Sequence, residues 1–190
     1  MKKVCFFLAG MVLWTFPVRA ENQDEGFYTR FDVGRGDATD GALKKSMGLQ
    51  TGFGQKWSDF LRGEFTVEYT KIAMKKPQNV WSRSHLSSWA AMGALYVDLF
   101  QNETFSPYVG AGAGMARNDA PDAIVNGRPV FGRPCYRFSW KTVGGVGIRL
   151  PANLVLDVGY TYADLGDFSM PTQKREVKLR RVNVGLRYDF

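Results

Sequence analysis

Over the final stretch of the chain, side chains alternate in character. Val182, Val184, Leu186, Tyr188 and Phe190 fall on one face of an extended segment, and Arg181, Asn183, Gly185, Arg187 and Asp189 fall on the other. The same period of two recurs in seven earlier segments. Phe27 to Arg35 sets Phe27, Thr29, Phe31 and Val33 against Tyr28, Arg30, Asp32 and Gly34. Ser46 to Gln55 sets Met47, Leu49, Thr51 and Phe53 against Gly48, Gln50, Gly52 and Gly54. A third segment opposes Leu61, Phe65, Val67 and Tyr69 to Arg62, Glu64, Thr66, Glu68 and Thr70. A fourth, Ser84 to Leu99, opposes Trp89, Leu95, Val97 and Leu99 to Tyr96 and Asp98. In the fifth, Val109, Ala111, Ala113 and Met115 alternate with Gly110, Gly112 and Gly114. The sixth places Trp140, Val146, Ile148 and Leu150 opposite Lys141, Gly145, Gly147 and Arg149. The seventh places Leu154, Leu156, Val158, Tyr160 and Tyr162 opposite Asp157, Gly159, Thr161 and Ala163. One such segment is a weak signal; eight in succession are a strong one.

The connections have their own rhythm. Gln55 to Phe60, Phe100 to Ser106 and Pro151 to Asn153 are short, whereas Gly36 to Lys45, Lys71 to Arg83, Arg117 to Phe138 and Asp164 to Lys178 are long and polar. Short turns at one end and long loops at the other, with apolar residues outward and polar residues inward, predict an all-β fold: an eight-stranded antiparallel up-and-down transmembrane β-barrel of the outer-membrane type. Phe27, Trp140, Tyr162, Tyr188 and Phe190 are candidates for aromatic girdles. A soluble barrel with its apolar faces turned inward has the same periodicity. The membrane reading is preferred because the glycines share the charged face, the N-terminus resembles an export signal, and the last strand ends on an aromatic residue.

That N-terminus has Lys2 and Lys3 ahead of an apolar run from Val4 to Phe16, then a small residue at Ala20 before polar sequence. Residues 1–20 are therefore expected to be a cleaved signal peptide, 21–26 a short periplasmic segment and 27–190 the barrel domain. The run is too short for a membrane-spanning helix, which needs about 20 apolar residues. Cleavage would remove three of the 25 basic residues and none of the 18 acids, lowering the net charge from +7 to +4. It would also remove Cys5, leaving Cys135 without a partner for an intrachain disulfide.

The stretches "FYTRFDVG", "FLRGEFTVEYT", "LYVDL", "FSPYVGAGAGMAR", "LVLDVGYTYADLGD" and "VNVGLRYDF" resemble, in this order, the eight-stranded outer-membrane proteins of the opacity-like surface-antigen and small-porin family. The resemblance spans about residues 26 to 190. It implies a Gram-negative outer-membrane location with both termini periplasmic. It also implies that Tyr188 and Phe190 form a C-terminal signal read by the barrel-assembly machinery. Relatives with a wall-binding domain continue beyond the last strand, so no wall-binding role is carried over.

An eight-stranded barrel encloses a lumen that its own side chains can fill. Arg30, Arg62, Arg149 and Arg187 are expected to pair there with Asp32, Glu64, Glu68, Asp98, Asp157 and Asp189, because a charge removed from water needs a partner. A filled structural interior is favoured over a narrow ion path. Basic residues gather at the long connections: Lys71, Lys75, Lys76 and Arg83 in the second, Arg117, Arg128, Arg133 and Arg137 in the third, and Lys174, Arg175, Lys178, Arg180 and Arg181 at the fourth. They suit phosphates of lipopolysaccharide or sulfated host glycans, and equally a solvated surface. The expected partners are outer-membrane lipids and lipopolysaccharide, the assembly machinery, and host glycans or proteins; nucleic acid is not expected.

An enzymatic alternative rests on His85 and Ser87, which share a strand face where a base and a nucleophile could meet, as in lipid A-modifying barrels. The reading preferred is that there is no catalytic residue. One histidine and one mature cysteine are too few for the usual metal ligand set, and the alternating "GAGAG" reads as strand rather than as a phosphate loop. No cofactor is expected.

Overall fold

A computed structural model describes residues 26–39, 43–74, 85–100, 102, 104–119, 123–125, 128–130, 134–169 and 174–190. The expected signal peptide and the segment 21–25 lie outside these residues. The strands are β1 (Gly26–Ala38), β2 (Leu43–Lys56), β3 (Leu61–Met74), β4 (His85–Asp98), β5 (Phe105–Asp119), β6 (Ala123–Val125), β7 (Arg128–Val130), β8 (Cys135–Leu150), β9 (Leu154–Ser169) and β10 (Lys174–Asp189). Eight of them close into a barrel in the order β1-β10-β9-β8-β5-β4-β3-β2, each antiparallel to its neighbours. β6 and β7 form a separate hairpin inside the third long connection, an element the period-two reading passed over.

Closure runs through β1 and β10, from Tyr28 opposite Asp189 to Ala38 opposite Leu179. It satisfies the edges that an open sheet would leave unpaired, which is what a bilayer demands of a β protein. Strand ends extend past the sequence boundaries: β3 continues to Met74, β9 to Ser169, and β10 begins at Lys174. Lys71, Lys174, Arg175 and Lys178, and in the third connection Arg117, Arg128 and Arg137, all expected in long connections, belong to strands; Arg180 and Arg181, expected around the fourth, lie well inside β10. The polar face of each strand persists beyond its last large apolar residue, and ladder bonding, invisible to a hydropathy pattern, decides where pairing stops.

The alternation appears directly in burial. Along β1, Tyr28, Arg30 and Asp32 are buried while Phe31 and Val33 are exposed; along β10, Val182, Val184 and Leu186 are exposed between buried Arg181, Asn183 and Arg187. Phe31 is 54% and Phe65 58% exposed, which places large apolar side chains on the outer surface of the barrel. This distribution inverts that of a water-soluble protein and suits lipid. Aromatic pairs stand on the same surface: Phe27 stacks on Phe53 at 5.5 Å, and Tyr188 meets Phe190 edge-on at 5.2 Å.

Candidate functional site

The end carrying Gly26 and Phe190 is called here the terminal end, and the opposite one the far end. At the terminal end, strand alternation aims Tyr28 and Arg30 of β1, Arg62 and Glu64 of β3, Tyr96 and Asp98 of β4, Tyr108 of β5, Asp157 of β9 and Arg187 of β10 into the lumen, all of them buried. Arg62 sits between aromatic faces, its Cζ 4.8 Å from the ring centroids of both Tyr96 and Tyr108 and 5.7 Å from that of Tyr28. Its Nη2 lies 3.3 Å from Asp98. Arg30 Nε contacts Asp32 at 2.8 Å and Asp157 at 3.7 Å, and Asp157 is also 3.7 Å from Arg187. Tyr28 donates its hydroxyl to Glu64 at 3.0 Å. Each cation has both a carboxylate and a ring, the combination that compensates for lost hydration.

Room for these side chains comes from glycine. A Cβ on Gly54 would fall on the Tyr28 ring, and one on Gly48 on the Arg181 guanidinium. Only a residue without a side chain lets the strand pass that close.

The middle of the lumen is a polar belt. Lys141 donates to Gln50 at 2.7 Å and to Thr66 at 3.1 Å, and Gln50 donates in turn to Asp32 at 3.1 Å. Arg181 pairs with Glu68 at 2.6 Å and donates to Thr70 at 3.0 Å. The far half is different again. Ile72, Leu86, Ala90, Met92, Ala116, Leu165, Val177 and Leu179 form one buried apolar cluster inside the barrel. Beside it, Ser88 donates to Asn118 at 2.7 Å, and Asn118 donates to the Leu165 carbonyl at 2.8 Å.

Arg30, Asp32, Arg62, Glu64, Glu68, Asp98, Asp157 and Arg187 thus share one interior. Asp189 is at the rim, bridged to Lys56 at 2.7 Å. Two assignments need correction. Arg149 has inward strand parity but stands exposed, one residue from the end of β8, too close to the turn for neighbours to enclose it. Arg181, grouped with the basic residues around the fourth connection, is a buried lumen residue, on the face that alternation along the last strand gave it.

Lys71 and Arg180 are exposed and point outward, and Lys178 is half-buried on β10. Lys174 and Arg175 contribute backbone to β10. Lys75, Lys76, Arg83 and Arg133 lie outside the described residues, and Arg128 contributes backbone to β7. Arg117 is exposed, and Arg137 is half-buried. Tyr188 and Phe190 are exposed on the outer surface at the terminal end. His85 and Ser87 share the outward face of β4, with Asp119 of β5 directly opposite Ser87. The sequence reading gave Lys141, the three tyrosines and the apolar cluster no role. Parity placed Lys141 and Tyr96 on the polar face, but nothing in period two reports which inward residues will meet across the lumen.

Apolar surface outside, paired charge inside and a closed ladder define an integral outer-membrane β-barrel. The chain belongs to the family described as outer membrane protein beta-barrel domain, which matches residues 6–190. A protein of Brucella abortus described as uncharacterized is 24% identical over 201 residues, covering 80% of this chain and 71% of its own length. The 56 kDa type-specific antigen of Orientia tsutsugamushi is 28% identical over 163 residues, covering 78% of this chain and 28% of the antigen. The crystal structure of Neisserial surface protein A shares the fold with a TM-score of 0.60 at 20% identity, covering 87% of this chain and 97% of that one.

Proposed function

We propose that this protein is a surface-exposed outer-membrane barrel with a closed lumen, acting through its far-end loops and rim as a surface antigen that contacts anionic glycans. The observation that carries this reading is the buried apolar cluster around Leu86 and Met92 in the far half of the lumen. Ions entering at the terminal end would meet paired charges and then a packed apolar section, whose neighbouring polar side chains Ser88 and Asn118 bond to each other. In this reading both termini are periplasmic and the long connections face outward. Residues 1–20 act as the export signal, and Tyr188 with Phe190 serves the assembly machinery. The antigen relative supports the surface role.

Planar-bilayer recording tests the closed lumen, with no steady conductance expected from the monomer and no passage of neutral sugars. Large continuous channels would overturn it. Binding to immobilised heparin tests the glycan contact: neutralising Lys75, Lys76, Lys174 and Arg175 together is expected to weaken retention, and unchanged retention would remove glycan contact from the proposal.

A second reading, modification of lipid A, draws on one specific observation. Asp119 pairs in register with Ser87 on the face that also carries His85. Ser87 would attack the ester carbonyl while His85 takes its proton, the ester C–O bond would break with His85 returning the proton to the departing alkoxide, and water would then release the acyl chain from Ser87, with Asp119 a carboxylate on the same face. Loss of an acyl chain from lipid A that disappears with His85→Ala would favour this reading over the first.

A further inference from the structure

The two ends of the outer surface differ in charge. On β10, β1, β2 and β3, the outward residues at the terminal end are Tyr188, Phe27, Gln55 and Leu61, none of them charged. At the far end of the same four strands the outward residues become Arg180, Arg35, Lys45 and Lys71, all exposed. Register makes them neighbours. Arg180 and Lys45 both pair across Asp37, in one row; Arg35 pairs with Met47, and Met47 with Lys71, in the next. Within these four strands Asp37 is the only carboxylate in the two rows, so the arc carries +3. Among the described residues none of the four cations makes an ion pair, although Lys71 Nζ lies 5.7 Å from the Tyr69 ring. The arc contrasts with Arg117, which is bridged to Asp119 at 3.4 Å.

Its height matters as much as its charge. Arg180 precedes Phe190 by ten residues on β10, which at about 3.3 Å per residue and a tilt of about 40° sets it roughly 25 Å above the terminal aromatic edge. That is the height of the apolar band of such barrels, so the cations stand where hydrocarbon gives way to headgroups. A leaflet of the same lipid at both ends would favour similar residues at both. Cations at one end and uncharged side chains at the other suit an asymmetric bilayer with its anionic phosphates at the far side.

We infer that Arg35, Lys45, Lys71 and Arg180 form a binding surface for the phosphates of an outer-leaflet, bisphosphorylated glycolipid of the lipid A type. The inference rests on the outward orientation of the far end given above, and is independent of the closed lumen and of glycan binding by the loops. Arginine supplies paired N–H donors to phosphate oxygens and lysine a mobile point charge, while the exposed apolar side chains beside them, Met47 and Val182 in the row of Arg35, and Val33 below it, receive acyl chains.

The test is native mass spectrometry of the refolded full barrel in detergent with bisphosphorylated lipid A, its fully dephosphorylated form and phosphatidylglycerol as probes. The wild type is expected to retain bisphosphorylated lipid A at least about tenfold more strongly than either of the others. The combined change Arg35→Gln, Lys45→Gln, Lys71→Gln and Arg180→Gln is expected to remove that preference while heat-modifiable gel mobility stays unchanged. A control variant, Arg117→Gln with Arg149→Gln, should retain it. Equal retention of phosphatidylglycerol, full retention by the fourfold variant, or equal loss in the control would each overturn the inference. Failure here leaves loop binding to heparin untouched, so the two readings fall separately.

Discussion

Near the termini the lumen holds Arg30, Arg62 and Arg187 against tyrosine rings and carboxylates; toward the far end the same strands turn Ile72, Leu86, Met92, Leu165 and Leu179 into it. The terminal half is held by compensation, since each buried cation needs a counter-charge or a ring face. The far half is held by ordinary packing. The difference teaches that alternation assigns a residue to a face but leaves the chemistry of that face open. On β4 the inward residues Leu86, Ala90 and Met92 are as apolar as the outward Trp89 and Ala91, yet one set meets the lumen and the other lipid.

The sharpest way to break this contrast is to remove one buried partner. Glu68→Ala strands the Arg181 guanidinium, 2.6 Å from it and 3% exposed, and is expected to cost about 3–5 kcal/mol in urea unfolding of the vesicle-folded barrel. The double change Glu68→Met with Arg181→Met should recover most of that loss, because neither charge then remains. If the single change costs under about 1 kcal/mol, the compensation account fails for this pair.

The apolar half answers to a different rule. Leu86→Ala should cost about 2–5 kcal/mol by leaving a cavity. Combined with Met92→Ala it should admit intermittent ion flow in a planar bilayer, while the Glu68→Met and Arg181→Met pair stays silent. Conductance from the charge-neutral pair and none from the cavity pair would exchange the roles assigned to the two halves.

How far the sequence carries this picture varies with depth. Eight strands and their facing were legible because period two is a property of the backbone, as the inward Arg30, Asp32 and Asp157 illustrate. The extent of β10 was not, since Lys174 and Lys178 look like loop residues until pairing with Ser169 and Asp164 is known. Arg149 shows the complementary limit: parity is local, whereas burial needs neighbours on both sides. The cage around Arg62 draws on β1, β3, β4 and β5, and relations across a lumen leave no trace along a single strand. Nor did hydropathy separate Leu86 and Met92 from lipid-facing residues, since both environments are apolar.

Asn118 joins the two kinds of interior, a polar side chain fixed beside the apolar cluster by Ser88 and the Leu165 carbonyl. Asn118→Leu leaves those groups without their partner and is expected to cost about 1–3 kcal/mol, less than stranding a charge. Ser88→Ala together with Asn118→Leu should cost less than the sum of the separate changes, because one unsatisfied hydroxyl disappears. Simple additivity would place the polar pair outside the packing of the far half.

The smallest effect is expected from an ion pair of nearly the same length as the strongest one. Lys56 and Asp189 approach to 2.7 Å, against 2.6 Å for Arg181 and Glu68, but their side chains are 28% and 25% exposed at the terminal rim. Water and salt reach both groups, so separating them restores most of their hydration, and the long lysine side chain regains its freedom. Lys56→Met is therefore expected to cost about 0.2–1 kcal/mol after allowance for screening. Raising the salt should shrink even that difference, while leaving the penalty of Glu68→Ala nearly unchanged, since mobile ions do not enter the buried belt. Equal salt sensitivity of the two variants would mean that solvent reaches Glu68 as freely as it reaches the rim, and the division of the lumen into compensated and packed halves would lose its electrostatic basis.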